Sequence, residues 1–522
     1  MNAGRQSVRK WIWIALALLG LGLAAHALHY DYVVDDAFIS FRYAQNLVDG
    51  EGLVFNPGER VEGYTNFLWV ILMAAAVAAA LDPVPVSQVL GLGAGLATLV
   101  LVFLRPPFET IGREGARLLG PVLLCLSPAF ALWCVGGLET SLFTLLVFAG
   151  MALAVRTDGE PSGGRREVVS GFCLALACLT RPEGFLASML VVIDRVIWPE
   201  RARGTMRRFP FRWLAAWAVV VVPYEIWRWT YYGYLFPNSY YAKVGWGGSQ
   251  LLRGFGYLGR FAAGSGGLAL VLWLLGLGGG LKDRWTRVLY LWSLAFVGYV
   301  VAVGGDGLFM YRFFVPVLPA LYLLAGRGVL TLDGWIGRAV PSARTVVAGA
   351  LVLGLAVMTL LPTLGSAEKQ IVERDRVFVE RHWIPIGKWL RSYARPGESI
   401  AVTTAGAVPY YSGLYTIDML GINESEIAHR EMPGMGSGIA GHEKHDMDYV
   451  IRRRPTYLFH HLFLLTKPKF TREQFETPWN PGEERLLTSE VFPVLYEQVS
   501  EKVGPFYINF FRLRSSAGEP EK

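Results

Sequence analysis

About eleven stretches of this chain are apolar enough to enter a bilayer, and short basic links join them. They lie at 11–29, 86–104, 118–134, 138–155, 168–180, 184–198, 213–231, 263–281, 288–304, 313–330 and 345–362. A chain built this way has one fold class open to it. Lipid offers the backbone no partner, so each crossing must satisfy its own hydrogen bonds as a helix. Composition agrees, with 53% hydrophobic residues, 17% charged, 17 Trp and a mean hydropathy of +0.36. The net charge of +7 does not point to nucleic acid, because Lys and Arg cluster in the links where the positive-inside bias puts them. Cys125, Cys134, Cys173 and Cys178 all fall in apolar runs and read as packing residues, not a disulfide framework or zinc site.

Charge bias sets the expected orientation. Arg5, Arg9 and Lys10 precede the first run, which reads as an uncleaved span with a cytoplasmic N-terminus. Residues 64–81 are apolar too, yet a full crossing there would put Arg105, Arg113 and Arg117 outside; a helix lying in or dipping into the outer leaflet keeps the parity. The N-terminus and links 105–117, 156–166, 195–212, 282–287 and 327–344 then hold roughly 21 Lys and Arg against about 7 in the outer links. The runs 168–180 and 184–198 are short, and read as tilted or as a broken pair around Arg181 and Pro182. Apolar periodicity stops near 363. The expected units are therefore a membrane module over 1–362 and an extracytoplasmic domain over 363–522, with strands at Ser399 to Val402, Tyr415 to Met419 and Thr456 to His460. A small α/β sandwich fits this pattern, and no GxGxxG or P-loop spacing implies a nucleotide.

With this parity the unusual polar clusters all fall on one side. Asp35 and Asp36 open a helix expected to reach Leu47; acids there favour the helix dipole, but capping accounts for one acid, not a pair at a membrane surface. The functional reading is a general base with a neighbour that orients the acceptor or binds a divalent cation such as Mg or Mn. Arg42 and Tyr43 suit a phosphate or a lipid headgroup, and Lys243, after Asn238, Tyr240 and Tyr241, suits a phosphate leaving group or an interface anchor. Arg181 and Glu183 read first as an ion pair closing a broken helix. Glu139 could cap the span it precedes, and Asp306 with Tyr311 and Arg312 lies in a Gly-rich link that fits a ligand contact or a plain turn. His442 and His445 have a spacing a metal could use, but no third ligand.

The run DDAFISFRYAQNLVDGEGLVFNPGERVEGYTNFLW, followed by GGLET, LTRPEG, PNSYYAK and GGDGLFMYRFFVPVLP, resembles the polyprenyl-phosphate-sugar-dependent GT-C glycosyltransferases, in particular the AftB-like arabinofuranosyltransferase group. The similarity covers most of the membrane part, and the first run is its most specific piece. It implies a polytopic α-helical bacterial inner-membrane enzyme of GT-C type, about eleven spans plus juxtamembrane helices, with a soluble C-terminal α/β domain outside. It implies a polyprenyl-phosphate-linked donor, with arabinofuranose as one candidate sugar, and an envelope glycan, glycolipid or protein as acceptor. By position Asp35 becomes the expected base and Asp36 its partner; Arg42, Lys243 and Arg312, read from their own chemistry, are the expected cations for the leaving lipid phosphate. The reading from another class is a transporter or non-catalytic envelope factor, but no internal repeat of the transporter kind is present.

Overall fold

The computed structural model describes residues 2–107, 114–155, 164–198, 210–245, 247–277, 281, 283–459, 464–467, 482 and 484–514. Parts of the expected links 105–117, 156–166, 195–212 and 282–287, and His460 at the end of the third expected strand, lie outside the described residues.

Helix is present in every expected span. α1 (Asn2–Tyr30) is followed by α2 (Asp35–Val48), which ends at Asp49 and at Gly50 with φ of 87°. α3 (Phe67–Ala78) has 12 residues, about 18 Å long against the roughly 30 Å of a hydrocarbon core, so it cannot cross. α4 (Pro83–Leu104) begins with Asp82 capping Val84 N at 2.9 Å and Pro83 in the first turn, where no N–H is needed. Among the described residues five helices are long and apolar enough to cross a bilayer, or up to seven if each bent pair is one crossing.

Two expected spans are not straight. In 118–134, α5 (Leu119–Leu126) and α6 (Pro128–Val135) meet at 62°, because Pro128 cannot donate to the preceding turn and Ser127 starts a new cap on Phe130 N. In 263–281 the helical part is shorter than expected. It is preceded by a π-turn at Ala262–Gly266, and a helix not expected from sequence stands before it.

α7 (Thr140–Ala154), α8 (Gly164–Thr180), α9 (Gly184–Ile197) and α10 (Phe211–Tyr232) form the middle of the bundle. The short α11 (Asn238–Lys243) leads to the unexpected α12 (Gly248–Phe261), whose Gln250, Gly254, Tyr257 and Phe261 form its buried stripe. α12 and α13 (Gly267–Leu275) are bent by 94°. α14 (Arg284–Ala302), α15 (Leu318–Ala339) and α16 (Arg344–Leu364) complete the module. One end of α7 gathers basic side chains: Arg105 and Arg166 donate to Ala152 O, and Arg195 to Ala154 O. Cations there complement the carbonyl end of the helix dipole. Glu139 sits at the other end.

α17 (Ala367–Phe378) and α18 (Ile384–Tyr393) carry the chain into the C-terminal sheet. Its strands are β1 (Ser399–Val402), β2 (Tyr415–Asp418), β3 (Tyr457–Leu458), β4 (Leu464–Leu465), β5 (Tyr496–Val503) and β6 (Phe506–Leu513). The order is β2-β1-β3-β6-β4, with β5 also paired to β6; β1 is parallel to β2 and β3, and β6 is antiparallel to β3, β4 and β5. Strand alternation divides the core. Ile400, Val402, Ile508 and Phe510 meet Ile386 and Leu390 of α18 and Val408, whereas Ala401, Ile417, Leu458 and Phe511 face Ile427, Met447 and Val450. The three strands expected from sequence are in place; the β5–β6 hairpin and β4 are additions to that expectation.

The sheet domain is fastened to the segment after α1. α19 (Ala407–Ser412) lies on α2, where Phe38 meets Tyr410 and Tyr411 at ring distances of 5.7 and 5.6 Å. Ala405 and Ala407 belong to the same continuous apolar core as the bundle.

Candidate active site

The structure separates the expected site residues into two groups. The first forms a charged network at the end of α7 opposite its basic cluster. Glu139 is buried, and its Oε1 accepts from Arg181 Nη1 at 2.8 Å while its Oε2 accepts from Asn66 Nδ2 at 2.7 Å. Arg181 also donates to Glu183 through Nη2 at 3.1 Å and Nε at 3.3 Å. Burial opposes both charges, yet their pairing wins, holding Glu183 below the ordinary carboxyl range and Arg181 above the ordinary guanidinium value. Arg312 makes a bidentate pair with Asp306 at 2.6 and 3.1 Å. The guanidinium groups of Arg181 and Arg312 both flank the Phe313 ring, 5.1 and 5.3 Å from its centre, so the two ion pairs adjoin. The pairing that closes α8 onto α9 is therefore also the centre of a wider network.

Arg312 is aimed by an unusual turn. Met310 and Tyr311 both have φ of 50°, a left-handed conformation that costs non-glycine residues energy, and Glu368 at the start of α17 accepts from Met310 N at 2.7 Å. Tyr311 packs against Tyr257 and Phe261.

The acid pair adjoins this network. Val34 N donates to Gly136 O at 3.2 Å, and a Cβ on Gly137 would stand 2.5 Å from Val33 and 2.9 Å from Ala37, so the GGLET turn presses against the start of α2. Asp36 shares its helix face with Ser40, four residues on; Asn66 Nδ2 donates to Ser40 Oγ at 3.0 Å and thereby joins that face to Glu139. Asp36 makes no hydrogen bond or ion pair among the described residues. Asp35 faces the sheet domain instead, its Oδ1 accepting from Ala407 N at 2.7 Å and its Oδ2 from Gly406 N at 3.1 Å. Burial, offset in part by Ala407 N–H and reinforced by the charge of Asp36, pushes its carboxyl up to about 7.

The second group fastens the two units together. Arg42 is buried and donates to Phe55 O, Pro409 O, Leu414 O and Asn56 Oδ1 at 2.6 to 3.1 Å. With no carboxylate among these partners, burial pulls its pKa down to about 10. Tyr43 donates to Val61 O at 2.7 Å and accepts from Gly63 N at 2.9 Å. Asn238 Nδ2 donates to Gly421 O and Ile422 O at 2.8 and 2.9 Å. These three side chains bind backbone of the chain itself. Tyr241 stacks on His429 at 4.2 Å, and the Lys243 stem lies against Gly441, with no hydrogen bond or ion pair to its ammonium among the described residues.

Ser40, Asn66 and Glu368 were not legible as site residues from sequence; the one local signal was the i, i+4 spacing of Asp36 and Ser40. Among the described residues no three His, Cys, Asp or Glu side chains come together as a metal-holding set, at Asp36 or at His442 and His445.

An apolar groove of about 450 Å³ runs between α12, α13, α14 and α15. Phe255, Leu274 and Leu294, each more than half exposed, open it to the outside of the bundle. Its lining includes Phe261 and Phe314, which stack at 4.5 Å two residues from Arg312.

Comparison with known proteins agrees with the likeness read from the motifs. Residues 369–504 match a family model described as a domain of unknown function (DUF8728). The chain is 28% identical over 271 residues to the terminal beta-(1->2)-arabinofuranosyltransferase of Mycobacterium tuberculosis, covering 49% of this chain and 41% of that one. It is 26% identical over 357 residues to the protein of the same name from Corynebacterium glutamicum, covering 58% and 49%. The chain thus spans less than half the length of these curated relatives. The crystal structure of ArnT from Cupriavidus metallidurans bound to undecaprenyl phosphate superposes with a TM-score of 0.60 at 12% identity, covering 98% of this chain and 99% of that one. The chain therefore has the ArnT-type fold, a helical membrane module with a C-terminal sheet domain, as expected from sequence.

Proposed function

We propose that this protein is a membrane glycosyltransferase that moves a sugar from a polyprenyl-phosphate donor to a hydroxyl of an extracytoplasmic glycan, glycolipid or protein. The observation that carries the reading is one of position: Asp36, which no described residue pairs, adjoins a buried ionic network, and an apolar groove ends near the same network. In this reading the groove takes the isoprenoid chain and the phosphate lies toward Arg312 and Lys243. The ArnT-type fold and the arabinofuranosyltransferase relatives support a lipid-linked donor, with a pentose such as arabinofuranose as the first sugar to test.

The chemistry is a single substitution. A carboxylate of the acid pair takes the acceptor O–H proton as the acceptor oxygen bonds to the anomeric carbon. The bond from that carbon to the phosphate oxygen breaks, and its electron pair leaves with polyprenyl phosphate. Cations held in place before reaction stabilise the charge developing on that phosphate without reorganising. Lys243 is suited to this because its charge is not committed elsewhere among the described residues. Arg312, already paired with Asp306, contributes a fixed field rather than a free hand. Tyr240 and Tyr241 are partly exposed and offer ring faces to sugars or to the interface, whereas Tyr64 and Tyr311 are buried against neighbouring rings.

The charge bias of the links supports a cytoplasmic N-terminus, with residues 363–522 outside the bacterial inner membrane. The test is mass spectrometry of envelope glycans from a deletion strain, its parent and the complemented deletion. The expected result is one sugar linkage lost and then restored. Identical glycans in all three would overturn the proposal.

A further inference from the structure

The two acids at the start of α2 are neighbours in sequence but not in surroundings. Successive helical residues point about 100° apart. Asp35 is turned toward the sheet domain, and the loop that receives it leaves no slack: a Cβ on Gly406 would sit 2.0 Å from the Asp35 carbonyl oxygen and 2.6 Å from its Cγ. Both carboxylate oxygens of Asp35 accept backbone N–H groups of that loop. One turn later, Phe38 packs on Tyr410 and Tyr411 of the helix the loop begins. Asp36 lies about 100° round the helix from Asp35, on the face it shares with Ser40, and the Ser40–Asn66 contact leads on to Glu139.

A general base must hold the proton it removes. Both oxygens of Asp35 are already engaged by N–H groups of the loop, so an acceptor hydroxyl could reach one only by displacing a contact that joins the units. Asp36 has its full acceptor capacity available, since no described residue donates to it.

We infer that Asp35 is a positioning residue that fixes the 403–407 loop of the sheet domain against the acid pair, and that Asp36 is the catalytic carboxylate that deprotonates the acceptor. This rests on the glycosyl-transfer reading above and exchanges the roles expected from sequence. It also makes the sheet domain a structural part of the active site. The acceptor proton moves to Asp36, the acceptor oxygen bonds to the anomeric carbon, and polyprenyl phosphate leaves with the electron pair of the broken bond.

The test compares full-length wild type, Asp36→Asn, Asp35→Asn and Gly406→Ala in proteoliposomes holding a polyprenyl-phosphoryl-arabinofuranose and an arabinan acceptor. Single-turnover transfer and hydrogen exchange at Gly406 and Ala407 are read together. Asp36→Asn is expected to lose about 10²–10⁴-fold in rate, the range of general-base catalysis, with exchange unchanged. Asp35→Asn and Gly406→Ala are expected to share one phenotype: faster exchange at both amides, and a partial loss of rate with donor binding retained. Transfer that survives Asp36→Asn but is abolished by Asp35→Asn with exchange intact would overturn the assignment. Wild type inert with this donor and every other polyprenyl-phosphoryl sugar would instead remove the glycosyl-transfer reading. The exchange data would still decide whether Asp35 and Gly406 act through one contact.

Discussion

Asn56 turns its side-chain amide onto the backbone of Thr416, accepting from its N–H at 3.0 Å and donating to its carbonyl at 2.9 Å. β2 is an edge strand, and one amide from the loop after α2 supplies what a neighbouring strand would have supplied there. The same Oδ1 accepts from Arg42. The sheet domain is thus held to the membrane module by backbone pairing as well as by ring packing. Asn56→Ala leaves a buried N–H and a buried carbonyl unpaired, each costing about 1–3 kcal/mol. The expected result in detergent is earlier release of the sheet domain in limited proteolysis at rising temperature.

Glu139 joins two partners that each keep one other contact. Glu139→Ala removes one of the two carboxylates on Arg181 and leaves the Asn66 amide only Ser40 Oγ as acceptor. Arg181 stays paired with Glu183, so the change loses a hydrogen bond between charged groups, about 1.5–3 kcal/mol, and a drop in unfolding temperature is expected together with loss of transfer. An unfolding temperature equal to wild type would show that the network does not hold the helices together.

Glu368 tests whether the left-handed turn at Met310 and Tyr311 matters. Glu368→Ala removes the acceptor of Met310 N–H and is expected to cost about 1–3 kcal/mol and to lower the transfer rate by releasing Arg312 from its aim. Glu368→Gln keeps an oxygen acceptor and should recover most of the rate. Equal loss in both variants would point to the charge of Glu368 rather than to the turn.

Asp35 also makes stability depend on pH. Its carboxyl is raised to about 7 by burial, with Ala407 and Gly406 N–H opposing and the charges of Asp36 and Asp418 adding to the rise. The native state then holds a proton that the unfolded chain has already lost above about pH 4. Its contribution is complete below that pH and falls away as pH rises through 7. Thermal unfolding between pH 4 and 8 should show this decline, and Asp35→Asn should flatten it.

Much of the bundle was legible because membrane-length apolar runs are a local signal. β1 and β2 were legible for the same reason, as short buried runs between turn residues. The acid pair was visible as chemistry, but the partners of its neighbours were not. Arg42 looked like a phosphate ligand because its acceptors are brought to it only by the fold: Phe55 and Asn56 return to it from the loop after α2, and Pro409 and Leu414 lie 367 and 372 residues away. α12 was hidden because Gly254, Gly256 and Gly259 weaken helix propensity and only one face is buried. The break at Ser127 and Pro128 carried its own proline signal within an otherwise continuous apolar run.

The most direct test is turnover of a polyprenyl-phosphoryl sugar by purified protein in proteoliposomes, following released polyprenyl phosphate and sugar on the acceptor together. Gly259 lines the apolar groove, and a Cβ there meets nothing within 4 Å, so Gly259→Ala provides a harmless reference while Gly259→Trp fills the groove. Equimolar products are expected from wild type and Gly259→Ala, and Gly259→Trp is expected to raise the KM for a long-chain donor at least tenfold while sparing a short-chain one. Neither product from wild type, or a Gly259→Trp protein indifferent to chain length, would contradict a lipid-linked donor held in this groove.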